Sequence, residues 1–415
     1  MSVTVDALTG RRLHGAGVAQ PAARTRDPRL DFYRGIAMFI IFIAHTPGNA
    51  FSSWIPARWG FSDATEIFVF CSGMASAIAF GAVFDRAGWA LGAVRVGFRV
   101  WQVYWAHIGL FVACATFLAA VDHWGGFDKE YIGTLNLWRF MEEPGPLLVG
   151  LMTLTYVPNY FDILPMYMVI LVMIPGVMAL ARLHPAGVAV AVVAVWLGAQ
   201  GTWWEAAGWS GLSFPAEPWS DRQWFFNPFG WQLVFFTGFA LMRGWLPTPP
   251  VRGWLIALAV VVVVAAVPYS SVGYRYSSID LGGQVVSGDG LSSKTDFAIL
   301  RYVHFLALAY LAWWVVGPGG RRLQPMDDGA AARAWGGLVA VITKVGQQSL
   351  AVFLFSMFWA RVTGFGLDIA GRDAVTVPLA NILGCALIVL LAYGVGWVKS
   401  QPWRVPRDKG GSAVR

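Results

Sequence analysis

Apolar residues along this chain fall in long unbroken blocks rather than in short alternating ones. Ten blocks approach the roughly 20 residues that carry a helix across a bilayer. They lie near 33–50, 64–84, 98–121, 163–181, 185–201, 228–246, 252–269, 297–316, 346–364 and 377–398. Continuous runs predict helices, because the strands of a membrane barrel alternate between lipid-facing and lumen-facing residues. A further apolar stretch, Pro146 to Val157, is too short to span and predicts an interfacial or re-entrant segment. The expected fold is all-α and polytopic, with about ten transmembrane helices.

Composition agrees with that pattern. A soluble chain of 415 residues would make two or three domains, with about a quarter of its residues charged. Here 57% are hydrophobic and 13% charged, too few to clothe a water-facing surface. Three cysteines make no disulfide framework. Cys71, Cys114 and Cys385 all sit inside apolar runs and read as small buried hydrophobes.

Charge fixes the expected orientation. With ten spans and the N-terminus inside, the basic loops holding Arg321, Arg322, Arg333 and Lys344 face the cytoplasm, as the positive-inside rule requires. Both termini are then cytoplasmic. The pI near 9.4 reports this topology and contact with the inner leaflet, and no nucleic-acid partner is expected. Residues 1–30 read as a flexible cytoplasmic tail before an uncleaved first span, 31–400 as the membrane domain and 401–415 as a second tail. The larger polar segments, 122–162, 202–227 and 270–296, fall outside. No internal repeat is visible, which disfavours transporters built from duplicated halves.

An ionisable group in a span is costly, so each is a functional candidate. In the first span Arg34 and His45 share a helix face, since eleven steps of about 100° return to within about 20°. They stand about 16 Å apart along the axis, with His45 toward the outer half and Pro47-Gly48 ending the helix beyond it. A packed, hydrogen-bonded histidine is the bland reading of His45, and a snorkelling interfacial side chain that of Arg34. The second span opens Ser62-Asp63-Ala64-Thr65-Glu66. Asp63 and Glu66 lie on one face, where either could orient His45 as a general base. Helix capping is the competing role, with the better claim on Asp63.

Arg95 and Arg99, at i and i+4 on the inner side, could fork onto the phosphates of a cytosolic ligand. Arg301 and His304 open the eighth span at i and i+3, where they could bind an anionic group or an acceptor. Asp162 and Asn227 border outer span ends, where capping is the default. Nine of the 22 Trp fall in outer segments. An interfacial belt accounts for many of them, but the 203–224 cluster is denser than a belt requires and would suit sugar rings. No metal-binding cluster, nucleophile elbow or acyl-enzyme cysteine is legible.

Six stretches carry a family resemblance: RDPRLDFYRGIAMFIIFIAHTPGN (26–49), FSDATEIFVFCSGM (61–74), FDILPMYMVILVMIPGVM (161–178), NPFGWQLVFFTGF (227–239), LRYVHFLALAYL (300–311) and GQQSLAVFLF (346–355). The chain resembles the OpgC-type family, linked to succinylation of osmoregulated periplasmic glucans, which looks like a branch of the acyltransferase 3 superfamily of ten-helix membrane acyltransferases. That superfamily marks its first helix with an arginine and a histidine separated by ten residues, as Arg34 and His45 are. FVFCSG at 68–73 resembles its aromatic run ending in Ser-Gly, whereas the spacing of Arg95 and Arg99 departs from its usual arginine pair.

The resemblance implies a protein of the bacterial inner membrane that moves an acyl group from cytosolic acyl-CoA to a periplasmic glucan. Succinyl-CoA is the expected donor and acetyl-CoA the alternative, with no permanently bound cofactor. In this reading the nucleotide end sits near Arg34, Arg95 and Arg99, and the pantetheine arm threads toward His45. His45 is the base, Glu66 or Asp63 orients it, and Arg301, His304 or Ser72 stabilises the oxyanion. Rival readings are O-acetylation of another polysaccharide, and a glycan transporter or flippase that consumes no thioester.

Overall fold

The computed structural model describes residues 27–276 and 290–404, so most of the two expected tails and part of the third outer segment lie outside the described residues. All ten predicted apolar runs are helical. The helices are α1 (Pro28–His45), α2 (Ala64–Ser76), α3 (Ala82–Trp124), α4 (Trp138–Glu142), α5 (Pro144–Thr153), α6 (Ile163–Leu183), α7 (Pro185–Ala199), α8 (Gly201–Trp204), α9 (Pro228–Arg243), α10 (Gly253–Ala266), α11 (Ser271–Tyr276), α12 (Ile299–Val316), α13 (Ala330–Gln347), α14 (Ser349–Ala370) and α15 (Thr376–Lys399). Among the described residues there is no strand, only an isolated bridge between Pro215 and Gln223.

Among the described residues, five helical segments are long and apolar enough to cross a membrane: the 61-residue run Ala64–Trp124, α6, α12, α14 and α15. The first covers two predicted spans. A π-turn at Ala77–Gly81 joins α2 to α3, and Gly88, at φ 83° and ψ 174°, breaks the helix. Such a φ favours glycine, which has no Cβ to clash. α7 with Gly201–Ala207, bent by 75°, passes the same test only when the two are joined as one segment. The other predicted spans are more modest. α1 carries Arg29, Asp31 and Arg34, and α9 and α10 are only 16 and 14 residues long.

The helix ends follow local chemistry. α1 starts at Pro28, whose missing N–H costs nothing there, and Asp27 accepts from the Arg29 amide at 3.0 Å. It ends before Pro47, with Thr46 already extended. α9 starts the same way, with Pro228 in its first turn and Asn227 accepting from the Phe229 amide at 3.1 Å. The apolar stretch after Pro144 is helical for ten residues and reverses at Leu154 in the left-handed region, too short to cross.

Small residues set the closest helix contacts, as membrane packing favours. Gly73 of α2 lies against the Phe235 carbonyl of α9, and Gly238 of α9 against the Phe70 carbonyl of α2. Gly35 of α1 lies against the Ile342 carbonyl of α13, and Gly346 against that of Asp31. α13 is an amphipathic helix that hydropathy alone did not predict. It packs along the first turns of α1 and against α15.

These contacts gather the helix termini at two ends of the bundle. At one, the basic end, Arg29 donates to the Gly317 carbonyl at 3.3 Å and Lys399 to Gln348 at 2.8 Å. The first and last described helices thus begin and finish together. At the other, the loop end, lie the C-terminus of α1, the N-termini of α2, α6, α9 and α12, and the longer connections between them.

Candidate functional site

A cavity of about 490 Å³ opens at the loop end. Its walls come from the last turns of α1 (Ile41, Ala44, His45), the start of α2 (Asp63, Thr65), the α5–α6 and α8–α9 connections (Asn159, Tyr160, Phe226), Lys294, and α14 (Phe353, Met357). Polar groups thus ring an apolar interior, the form expected of a small-molecule site.

His45 is half-buried in this wall. Its Nδ1 lies 2.8 Å from the Ile41 carbonyl one turn back. A carbonyl only accepts, so that nitrogen carries the hydrogen and Nε2 keeps the lone pair. The Tyr160 ring meets the imidazole edge-on at 5.3 Å. Tyr160 is itself clamped: its hydroxyl donates to the Met357 carbonyl at 2.5 Å, and the Arg361 guanidinium lies 4.0 Å from its ring centroid. Its backbone sits at φ 89°, a conformation a bulky residue holds only when its surroundings impose it.

The carboxylates take the competing role, helix capping. Asp63 and Glu66 form a capping box: Asp63 accepts from the Thr65 amide at 2.6 Å, and Glu66 accepts from the Asp63 amide at 2.7 Å. Asp63 also pairs with Lys294, and both line the cavity. Glu66, fully buried, pairs with Arg301 at 2.5 Å. The orienting partner of His45 is therefore a helix carbonyl and not a carboxylate. A histidine four residues beyond a free carbonyl near a helix end has an acceptor already in place, whereas Glu66 is spent on its own helix and on Arg301.

Arg301, His304 and Ser72 do not line the cavity. Arg301 is held by Glu66. His304 is buried behind the loop before α2, with Nδ1 2.7 Å from the Ser62 hydroxyl and its ring against Phe61 and Gly60. Ser72 is buried in α2. In their place the cavity offers Lys294, Asn159 and Arg58. These sit in connections with no motif to mark them, so nothing in their spacing pointed to them. Arg361 is different, because an arginine inside the apolar run of α14 is a signal by itself.

At the basic end Arg34 donates to the Ser349 hydroxyl at the start of α14. Arg95 is exposed, with its guanidinium 5.9 Å from the Phe98 ring centroid, and Arg99 donates to Gln102 at 3.3 Å. The cavity does not reach this end. It stops at Phe353, one turn from Ser349, and the Phe353 ring stacks on Phe68 at 5.7 Å.

Of the two outer border residues, Asn227 caps its helix as expected. Asp162 does not: its side chain accepts from the Phe225 amide at 3.1 Å, tying the start of α6 to the connection before α9. In the neighbouring connection Asp296 accepts from Asn227 at 3.0 Å, and burial raises its carboxyl above the ordinary range. Among the described residues no group of three His, Cys, Asp or Glu side chains is placed to hold a metal ion.

A family model described as OpgC protein matches residues 26–400. No curated protein and no solved structure matches the chain.

Proposed function

The chain belongs to the OpgC family, which ties this membrane protein to modification of osmoregulated periplasmic glucans, and on that premise we propose that it is a transmembrane O-acyltransferase. In this reading it lies in the bacterial inner membrane with ten spans, both termini cytoplasmic and the loop end in the periplasm. The donor is a cytosolic acyl-CoA, succinyl-CoA in preference to acetyl-CoA, and the acceptor is a glucan hydroxyl. The arrangement is that of an acyltransferase 3 enzyme.

One observation carries the reading. His45 stands in the wall of the loop-end cavity with Nδ1 committed to the Ile41 carbonyl, so its basic nitrogen is Nε2. Nε2 takes the proton from the acceptor hydroxyl as that oxygen attacks the thioester carbonyl. The tetrahedral oxyanion collapses, the C–S bond breaks, and the imidazolium returns its proton to the departing thiolate. The products are the glucan ester and free CoA. Lys294 and Asn159, in the same wall, supply the donors to the oxyanion that Arg301, His304 and Ser72 are not placed to give. Arg34 receives the donor's phosphates with Arg95 and Arg99, and the pantetheine arm passes the Phe68–Phe353 stack to reach His45.

The test is free-thiol release from succinyl-CoA and from acetyl-CoA by purified protein, with and without a periplasmic glucan. Glucan-dependent release is expected, faster with succinyl-CoA. His45→Ala should lower it by about 10²–10⁴-fold, the usual worth of a positioned general base. Release that His45→Ala leaves unchanged in folded protein rules out this mechanism.

A further inference from the structure

Two smaller cavities flank the His45 cavity, and each shares a residue with it. On one side a pocket of about 220 Å³ is lined by Asn136, Trp138, Arg139, Tyr156, Glu217 and Trp219, and reaches Asn159, which also lines the His45 cavity. On the other, a cavity of about 450 Å³ lies beside Trp54 and Trp59 and reaches Arg58, again a wall residue of the His45 cavity. Asn159 and Arg58 are both exposed at these junctions. From these shared wall residues we infer an extended groove for an oligosaccharide, with His45 in its middle section and a sugar-binding subsite at each end.

The chemistry of the flanks fits sugar. Trp54 and Trp59 lie with ring centroids 6.0 Å apart and remain exposed, giving flat faces for the C–H side of a pyranose. In the other flank the Arg139 guanidinium sits 4.8 Å from the Trp138 ring centroid and 5.0 Å from that of Trp219. It is held there with its N–H groups available to hydroxyls. Arg222 is fixed beside it by Glu217 at 3.1 Å and Asn159 at 2.9 Å. Tyr156, 1% exposed, is a wall residue whose hydroxyl has no hydrogen-bond partner. A buried hydroxyl without a partner is costly, and a ligand hydroxyl would remove that cost.

The inference rests on the glucan reading and sharpens it. With subsites on both sides of His45, the acylated unit is an internal residue of the chain rather than its end. It also separates binding from chemistry, so a donor-free experiment tests it even if acyl transfer fails. Gluco-oligosaccharides of one to eight residues, in α- and β-linked series, would be titrated into the full-length protein in detergent by calorimetry. Affinity in one series should climb with length and then level off once the groove is filled.

Trp54→Ala and Trp138→Ala should each weaken the longest binder by about tenfold, and leave the mono- and disaccharide unchanged. Tyr156→Phe removes one oxygen and no ring. It should lower affinity for the long chain without lowering the melting temperature. Affinity independent of length in both series, or long-chain binding untouched by all three variants, would overturn the groove. If length-dependent binding is found but no thiol release, the groove stands and the acyl-transfer reading falls.

Discussion

Glu66 offers the sharpest separation of architecture from chemistry. It is fully buried, closes the capping box of α2 and holds Arg301 across to α12. Glu66→Ala removes one half of that cap, worth about 1 kcal/mol. It also strips a guanidinium with 12% side-chain exposure of its hydrogen-bonded carboxylate, a loss of about 3–5 kcal/mol. The sum, roughly 4–6 kcal/mol, is a large share of the 5–15 kcal/mol by which proteins are ordinarily stable. Melting of the detergent-solubilised protein, followed by size-exclusion fluorescence, should fall by about 5–7 °C for a chain of 415 residues.

Glu66→Gln keeps one acceptor oxygen, enough for the cap but not also for Arg301, so it should fall less than Glu66→Ala. Pairing Glu66→Ala with Arg301→Met removes the stranded cation and should recover most of the loss. The paired variant, once folded, should turn over at nearly the parent rate. Equal melting losses in the single and paired variants would refute the ion-pair accounting. A paired variant that is folded but loses a hundredfold in rate would put Glu66 in the chemistry.

Three further outcomes are expected. Gly73→Ala should yield little folded protein on detergent extraction, because the added methyl would overlap the Phe235 carbonyl and neither backbone can retreat without parting α2 from α9. Asn49 and Asn381 exchange amide hydrogen bonds at 2.8 and 3.1 Å, so either single alanine should cost about 1 kcal/mol of melting stability and the pair less than the sum. Asp296→Asn should stabilise at neutral pH. The raised carboxyl favours its protonated form in the fold, so the wild type pays a penalty that is absent below the ordinary carboxyl range. That penalty grows as pH rises from the ordinary toward the raised value and then stays constant. Melting curves across pH 3–8 should show the variant's advantage only on the alkaline side, and an advantage at the acid end would contradict this assignment.

Hydropathy exposed the helices because burial in lipid demands long apolar runs, and each of the ten is helical. It missed α13, whose apolar residues occupy one face only and are diluted by alanine, glycine, Arg333 and Lys344. Ser62-Asp63-Ala64-Thr65-Glu66 announced a helix cap because caps are local, although not that Glu66 would close it reciprocally. The other half of each pair was hidden. Arg301 lies 235 positions from Glu66, and Ser349 lies 315 from Arg34, distances over which no spacing rule operates. His45 was legible from its cost, a polar ring in an apolar helix. Its partner was overlooked for being ordinary, since every helix end has carbonyls to offer. Lys294, Asn159 and Arg58 became visible only when connections far apart in the chain met at one cavity.

The aromatic stack between Phe68 and Phe353 bears on the electrical integrity of the cell. A bundle with a water-filled bore from face to face would let protons run down their gradient and dissipate the voltage that powers the membrane. Here the cavity that opens at the loop end finishes against Phe353, which is 2% exposed, with Phe68, 5% exposed, behind it. Two interlocked rings present no chain of hydrogen-bonding groups along which a proton could hop. On the proposed function, a protein that admits a slender thioester arm from one compartment and a sugar polymer from the other can therefore rest in the membrane as an insulator. The proposed donor arm would part the stack only around itself and fill the opening it makes.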